Sequence, residues 1–347
     1  MSDTHQPPIL HMPNPDPAWL DRLREDVLEP GLPIIDPHHH LWDRPGNRYF
    51  LDDLLGDTEG GGHNVKATVF LQCGAFYRAD GPEALQPLGE TEYVAGVATE
   101  SERRKTQTHA CAAIIGHVDL RLGARAEPVL HQHMDAAGGR FRGIRHVTAR
   151  DKAFLSSVLA PPPFGLMADP AFREGFAVLG KLGLSFDAWL YHPQIGELID
   201  LARTFPAIPI VLDHVGGPLG TGPYRGKSDE VFADWNKSIR RLATECPNVS
   251  VKLGGLAMAV NGFDFQNNVL PPSSGELVAA WKPYIETCIG AFGANRCMFE
   301  SNFPVDKAMC SYTVLWNAFK RLAADASADE KGAMFYETAA RFYRIDA

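Results

Sequence analysis

Leu32-Pro33-Ile34-Ile35-Asp36-Pro37-His38-His39-His40-Leu41-Trp42-Asp43 is the stretch that decides the fold. Its apolar start predicts a β-strand over Pro33–Asp36, with the histidines at the strand's end. Side chains alternate between the two faces of a strand, so His38 and His40 project one way and His39 the other. Two imidazoles on one face can bind a divalent metal or clasp an oxyanion, or can simply be structural groups at a polar strand end. The chain carries a second copy of the spacing, His131-Gln132-His133. Glu127 to Ala137 predicts a helix, on which residues two apart do not face each other, so this copy is expected on the solvated surface.

Working outward, apolar β-branched runs recur at Val65–Leu71, Ala112–Val118, Phe141–Val147, Leu184–Leu190, Ile208–Asp213, Val249–Leu253 and Cys297–Glu300. Amphipathic segments separate them. Asp169-Pro170 supplies an N-cap and a first-turn proline, Phe172, Phe176 and Leu179 share a face, and Gly183 stops that helix. Ser327 and Glu330 form a capping box for a last helix running to about Phe342. Eight apolar strands, most followed by a helix, predict a single (β/α)8 TIM barrel over residues 31–347, with an N-terminal extension at 1–30 and long βα loops. The expected lid segments are Leu41–Asn64, which contains the glycine patch Gly60-Gly61-Gly62, then Leu155–Leu166, Leu219–Lys227 and Met258–Ser274.

At 347 residues the chain is long enough for such a barrel. A net charge of −9 without a basic cluster argues against nucleic acid or an anionic membrane as partner. No apolar run approaches the ~20 residues of a membrane span, and the polar, proline-rich start lacks a signal-peptide pattern. The six cysteines are scattered, with no CxxC pair, as expected of reduced cytoplasmic thiols. The expected partner is a small molecule, and a homodimer is left open.

In a TIM barrel the chemistry lies at the C-terminal ends of the strands. The residues there are His38 and His40, Gln72 and Cys73, His117 and Asp119, Arg145 and His146, Tyr191 and His192, His214, Lys252, and Glu300 with Asn302. His38, His40 and His214 could meet as metal ligands, with His192 as a further donor or a helix cap. Arg145 suits bidentate capture of a carboxylate, or an internal salt bridge. Lys252, on an apolar strand, is either an anion holder or a paired interior cation. His146 joins the substrate-binding set, and Trp42 and Tyr191 are candidate pocket walls or core aromatics.

These landmarks resemble the amidohydrolase superfamily, in its amidohydrolase-2 branch of TIM-barrel lactonases and decarboxylases. The resembling segments are Asp36-Pro37-His38-His39-His40-Leu41-Trp42-Asp43, Phe141-Arg142-Gly143-Ile144-Arg145-His146, Leu212-Asp213-His214-Val215-Gly216-Gly217-Pro218 and Met298-Phe299-Glu300-Ser301-Asn302-Phe303-Pro304. The resemblance implies a hydrolase that opens a lactone or related cyclic ester of a small carboxylated substrate. It implies a divalent metal, Zn2+ first, held by His38, His40 and His214, although part of the group works without metal. The same scaffold also supports non-oxidative decarboxylation, and a non-catalytic binding barrel is the third reading. One departure stands out: the family's eighth strand ends in an Asp base, where this chain has Asn302. An amide cannot take up a proton at neutral pH. Glu300 and Asp306 are the substitute bases to inspect.

Overall fold

The computed structural model describes residues 12–153 and 161–346, with the backbone of residues 9–10 and 155–156. One parallel sheet runs through β1 (Pro33–His39), β2 (Asn64–Leu71), β3 (His109–Gly116), β4 (Phe141–Arg145), β5 (Ser185–Ala188), β6 (Ile210–Leu212), β7 (Val249–Leu253) and β8 (Cys297–Phe299). Each strand pairs with the next in sequence order. The edges β8 and β1 are joined just beyond β8. There the His40 amide donates to Phe303 O at 2.8 Å and the Asn302 amide donates to His38 O at 2.9 Å. The sheet therefore curls into a nearly closed barrel, the (β/α)8 TIM architecture expected from the apolar runs.

These strands read as continuous apolar runs because both their faces are covered. Ile35, Val69, Ile115, Val211 and Met298 meet on one side, where Tyr343 and Ile345 of the C-terminal segment pack against them. Phe70, Ile114, Ile144, Phe186 and Leu212 face the surrounding helices. The helix after β4, Pro170–Leu182, has its predicted ends. Asp169 Oδ1 accepts the Phe172 amide at 2.9 Å, and Gly183 stops it in the left-handed region at φ +65°. The last helix keeps its Ser327–Glu330 box and reaches Tyr343 through a π-helical stretch at Ala333–Glu337.

Two expectations need correction. Leu41–Asn64 is not a bare lid: Trp42–Arg44 and Asn47–Tyr49 pair as an antiparallel hairpin, and Leu51–Thr58 is helical. His133 is not on the surface. On the helix Ala126–Ala136 it turns inward, fully buried, with Nδ1 2.7 Å from Thr91 Oγ1, and only His131 is exposed. Of the expected lid stretch Leu155–Leu166, residues 157–160 lie outside the described residues.

Residues 12–30 lie along the barrel. The Lys320 ammonium donates to Leu28 O and Glu29 O, and the Trp19 indole donates to Asn268 O. The six cysteines are buried as free thiols. Among the described residues no helix is long and apolar enough to cross a membrane.

Candidate functional site

The pleat of β1 aims His38 and His40 into the barrel mouth and sends His39 the opposite way, against Thr68 and Phe70. The Nε2 atoms of His38 and His40 stand 3.3 Å apart. His214 arrives from the end of β6, with its ring centroid 4.4 Å from that of His38. It gets there through an unusual backbone. His214 (φ +57°) and Val215 (φ +48°) both sit in the left-handed region, followed by Gly216 and Gly217. For a β-branched residue this is a strained conformation of the kind that clusters at functional sites.

Glu300 lies beneath the two rings, fully buried. Its Oε2 is 2.7 Å from His38 Nδ1, its Oε1 is 2.7 Å from His214 Nδ1, and the His214 amide also donates to Oε1 at 3.1 Å. His40 Nδ1 lies 2.8 Å from Leu71 O. A carboxylate and a carbonyl can only accept, so His214 and His40 carry a proton on Nδ1, while His38 Nδ1 lies between Glu300 Oε2 and the Lys252 ammonium, which can only donate. Burial, reinforced by the nearby cations, holds His38 and His40 well below the usual imidazole pKa, so they stay neutral.

Room for this stack comes from Gly254 and Gly255, just after β7. A Cβ on Gly254 would overlap Glu300, and one on Gly255 (φ +67°) would overlap the His214 ring. Trp189 closes the far side of His214, edge to face at 4.7 Å.

A buried charge network lies below. Lys252 Nζ is 2.8 Å from Asp187 Oδ2 and 2.9 Å from Asp213 Oδ1, with His38 Nδ1 at 3.2 Å. Tyr343 donates its hydroxyl to the same Asp187 oxygen at 2.6 Å. Burial alone would discharge Lys252, but Asp187, Asp213 and Glu300 more than offset it and raise its pKa. Burial outweighs Lys252 at Asp187, whose pKa rises to about 6. At Asp213 the outcome reverses: against burial, Lys252, His214 and Arg145 together hold the carboxylate below its usual range. Lys252 is thus a paired interior cation, and its expected role as an anion holder is corrected.

Arg145 projects from β4 into the same mouth. Its Nη1 is 3.2 Å from His38 Nε2 and 3.7 Å from Asp213 Oδ2, while Nε and Nη2 donate to Gln72. Arg44, absent from the expected set, reaches the mouth from the hairpin. Its guanidinium lies 3.8 Å over the Trp42 ring, and Trp42 in turn stacks on His40 at 5.6 Å.

Other expected residues sit elsewhere. His146 points away from the mouth, packs on His117 and Phe172, and accepts the Leu120 amide at 3.4 Å. His192 accepts the Leu219 amide at 3.3 Å and leans on Tyr224, outside the imidazole cluster. Tyr191 packs on Trp189, one ring removed from His214. Asn302 turns away at φ +55° and donates Nδ2 to Asp306 Oδ1 at 2.8 Å. Asp306 is fully buried, which raises its pKa, while the Asn302 amide and the Ala257 N–H donate to its two oxygens. Asn302, an amide, cannot take up the proton that the Asp of the eighth strand would. Asp187, inside the apolar run Ser185-Phe186-Asp187-Ala188, carried the same signal that drew notice to Lys252.

The cluster has the character of a metal centre. His38, His214 and Glu300 offer ligand atoms that all lie within 4.8 Å of one another. Two nitrogens on a tetrahedral zinc, at about 2.0–2.1 Å each, stand about 3.3 Å apart. That matches the His38–His40 separation. Neutral imidazoles are what a divalent metal requires, so His38 and His40 fit such an ion.

A family model described as amidohydrolase matches residues 35–345. The uncharacterized protein y4mH of Sinorhizobium fredii is 33% identical over 90% of this chain and 99% of its own. An L-fucono-1,5-lactonase of Burkholderia multivorans is 29% identical over 90% of this chain and 96% of the relative. The barrel superimposes on the crystal structure of a B. multivorans amidohydrolase with bound zinc at a TM-score of 0.70, with 24% identity, 90% of this chain and 99% of that one. A match running from β1 to the C-terminal segment is membership: this chain belongs to the amidohydrolase family and is a hydrolase.

Proposed function

We propose that this hydrolase opens a lactone or related cyclic ester, and that His214, backed by Glu300, is the general base. The observation that carries the reading is Glu300 set between two imidazoles, 2.7 Å from His38 Nδ1 and 2.7 Å from His214 Nδ1, with the Nε2 atoms of His38 and His40 3.3 Å apart beside it. The lactonase relatives support the substrate class.

His38 and His40 would hold a divalent metal, Zn2+ being the ion that best suits imidazole nitrogen. When bound, it would polarise the ester carbonyl and lower the pKa of a water. The chain's own residues do the rest. His214 Nε2 takes a proton from water as the oxygen adds to the carbonyl carbon. Glu300, bonded to His214 Nδ1, stabilises the imidazolium that forms, as the buried carboxylate of a hydrolase triad does. Arg145, beside His38 Nε2, faces the negative oxygen of the tetrahedral intermediate. The ring C–O bond then breaks, and the His214 proton passes to the departing alkoxide, giving a hydroxy acid.

This assignment removes His214 from the metal ligands, and that is where it is tested. Metal content and lactone hydrolysis are measured together for purified His38→Ala and His214→Gln. His38→Ala is expected to lose both. His214→Gln is expected to keep its metal and lose about 10²–10⁴ in kcat. Metal lost from His214→Gln as well would make His214 a ligand and end its role as base. Carbon dioxide released from an unsaturated or aromatic acid, with no lactone opened, would replace hydrolysis by decarboxylation.

A further inference from the structure

We propose that a cleft at the end of the barrel opposite the imidazole cluster binds a phosphate-bearing metabolite through Lys105, Arg142 and Arg344. This goes beyond the lactone reading and does not rest on it.

The cleft lies where strands begin. Arg142 stands near the start of β4, whose other end carries Arg145 to the mouth. The walls are the last turns of the helix Leu88–Arg104, the start of β3, and the C-terminal segment Arg344–Asp346. Its volume is about 490 Å³, inside the roughly 300–1,000 Å³ of small-molecule sites and more than a single ion needs.

Charge is the first argument. Lys105, Arg140, Arg142 and Arg344 line the cleft with two acids, Glu102 and Asp346, in a chain of net charge −9. Glu102 is spent on Arg140 at 2.6 Å. Among the described residues no carboxylate comes within ion-pair distance of Lys105, Arg142 or Arg344. Burial and the Arg344 charge lower the pKa of Arg142, and Asp346 offsets them only in part. A bound anion would relieve that repulsion.

Geometry is the second. The Arg142 fork is fixed: Nε donates to Tyr343 O and Nη1 to Gly139 O, both at 2.6 Å, Nη1 also to Phe141 O at 3.2 Å, and Nη2 to Arg344 O at 3.3 Å. These acceptors are neutral carbonyls, so they hold the guanidinium without cancelling its charge, and one Nη2 hydrogen stays open. Lys105 and Arg344 each close a helix in the left-handed region, at φ +55° and +52°, where glycine is the favoured residue. The carbonyls at a helix end attract one cation. They do not account for two such caps from separate helices converging on an arginine of a strand. A phosphate, which takes a guanidinium fork and an ammonium together, does.

The test titrates glucose 6-phosphate, with glucose as the neutral control, into wild type and Lys105→Gly/Arg344→Gly by calorimetry. Glycine fits both left-handed caps, so the double variant loses two charges and keeps its fold. Wild type is expected to bind the phosphate with a Kd of about 1 mM or tighter and to ignore glucose. The double variant is expected to bind at least tenfold more weakly with no fall in Tm. Absence of binding to wild type overturns the site, as does equal binding of glucose. A loss below tenfold in the folded double variant also overturns it, since the phosphate then sits elsewhere. If the double variant does not fold, Arg344→Gln decides: a loss of threefold or more supports the site and a smaller one overturns it.

Discussion

His38 and His40 end a strand, and their Nε2 atoms stand 3.3 Å apart at the barrel mouth. His131 and His133 have the same spacing on a helix, where one is exposed and the other is buried against Thr91 and Phe141. A strand's two-residue period puts both members of the pair on one face, whereas a helix turns them about 200° apart. The second difference is what meets Nδ1. His38 and His40 meet acceptors, Glu300 and Leu71 O, and turn their Nε2 atoms toward each other, with Arg145 Nη1 3.2 Å from that of His38. His133 meets a hydroxyl at Nδ1, and its buried Nε2 faces no hydrogen-bond partner among the described residues, so the ring stands alone and creates no site.

The largest break in this symmetry is expected from truncation. His40→Ala is expected to cost about 10³-fold in kcat/KM through loss of the metal pair, while His133→Ala leaves kcat and KM unchanged and destabilises by about 1–3 kcal/mol. Steady-state kinetics and chemical denaturation of the two variants read this directly. Equal losses of activity would erase the distinction between the copies.

A smaller and sharper probe uses the glycine beside each region. Gly255→Ala drives a methyl into the His214 ring at a φ of +67° and is expected to cost about 10² in kcat by displacing the imidazole. Gly116→Ala puts a methyl 2.8 Å from Phe141 and 3.1 Å from Thr91 Oγ1, in the shell of His133. It is expected to lower Tm while leaving kcat unchanged. A catalytic loss from Gly116→Ala would couple the two regions.

The same contrast explains what was legible in the chain. Each strand of the barrel overlaps an apolar run, because burial on both faces leaves a continuous signal along the sequence. The rim position of His38, His40, Arg145 and His214 followed from strand ends alone. What stayed hidden depends on pairing across strands. That Lys252 would be spent on Asp187 and Asp213, and that Glu300 would sit between two imidazoles, are contacts over 39 to 262 positions of chain, inaccessible to local pattern. His146 was misplaced for a local reason: it follows Arg145 directly, and the pleat that turns Arg145 inward turns its neighbour toward Phe172. Arg44 carries no strand-end signal in the sequence, because Leu41–Asn64 reads as loop where a hairpin fixes its direction.

The smallest effect concerns pH. Burial lowers the pKa of His133 to about 3, with His117 and Arg78 adding to the shift, whereas an unfolded imidazole titrates near 6.5. Between these values the unfolded chain binds a proton that the folded chain refuses. The depressed pKa therefore contributes stability that is fully present above pH 6.5 and is lost as pH falls towards 3. Between pH 7 and 4.5 the loss from this one group is about 2–3 kcal/mol. His133→Gln, which cannot titrate, is expected to start less stable at pH 7 and to fall less steeply on acidification than wild type. His131→Gln, its exposed partner, is expected to keep the wild-type slope. Urea midpoints at the two pH values measure both slopes. If the two variants flattened equally, the burial that separates His133 from His131 would have no energetic consequence, and the inward turn of the helical copy would be wrong.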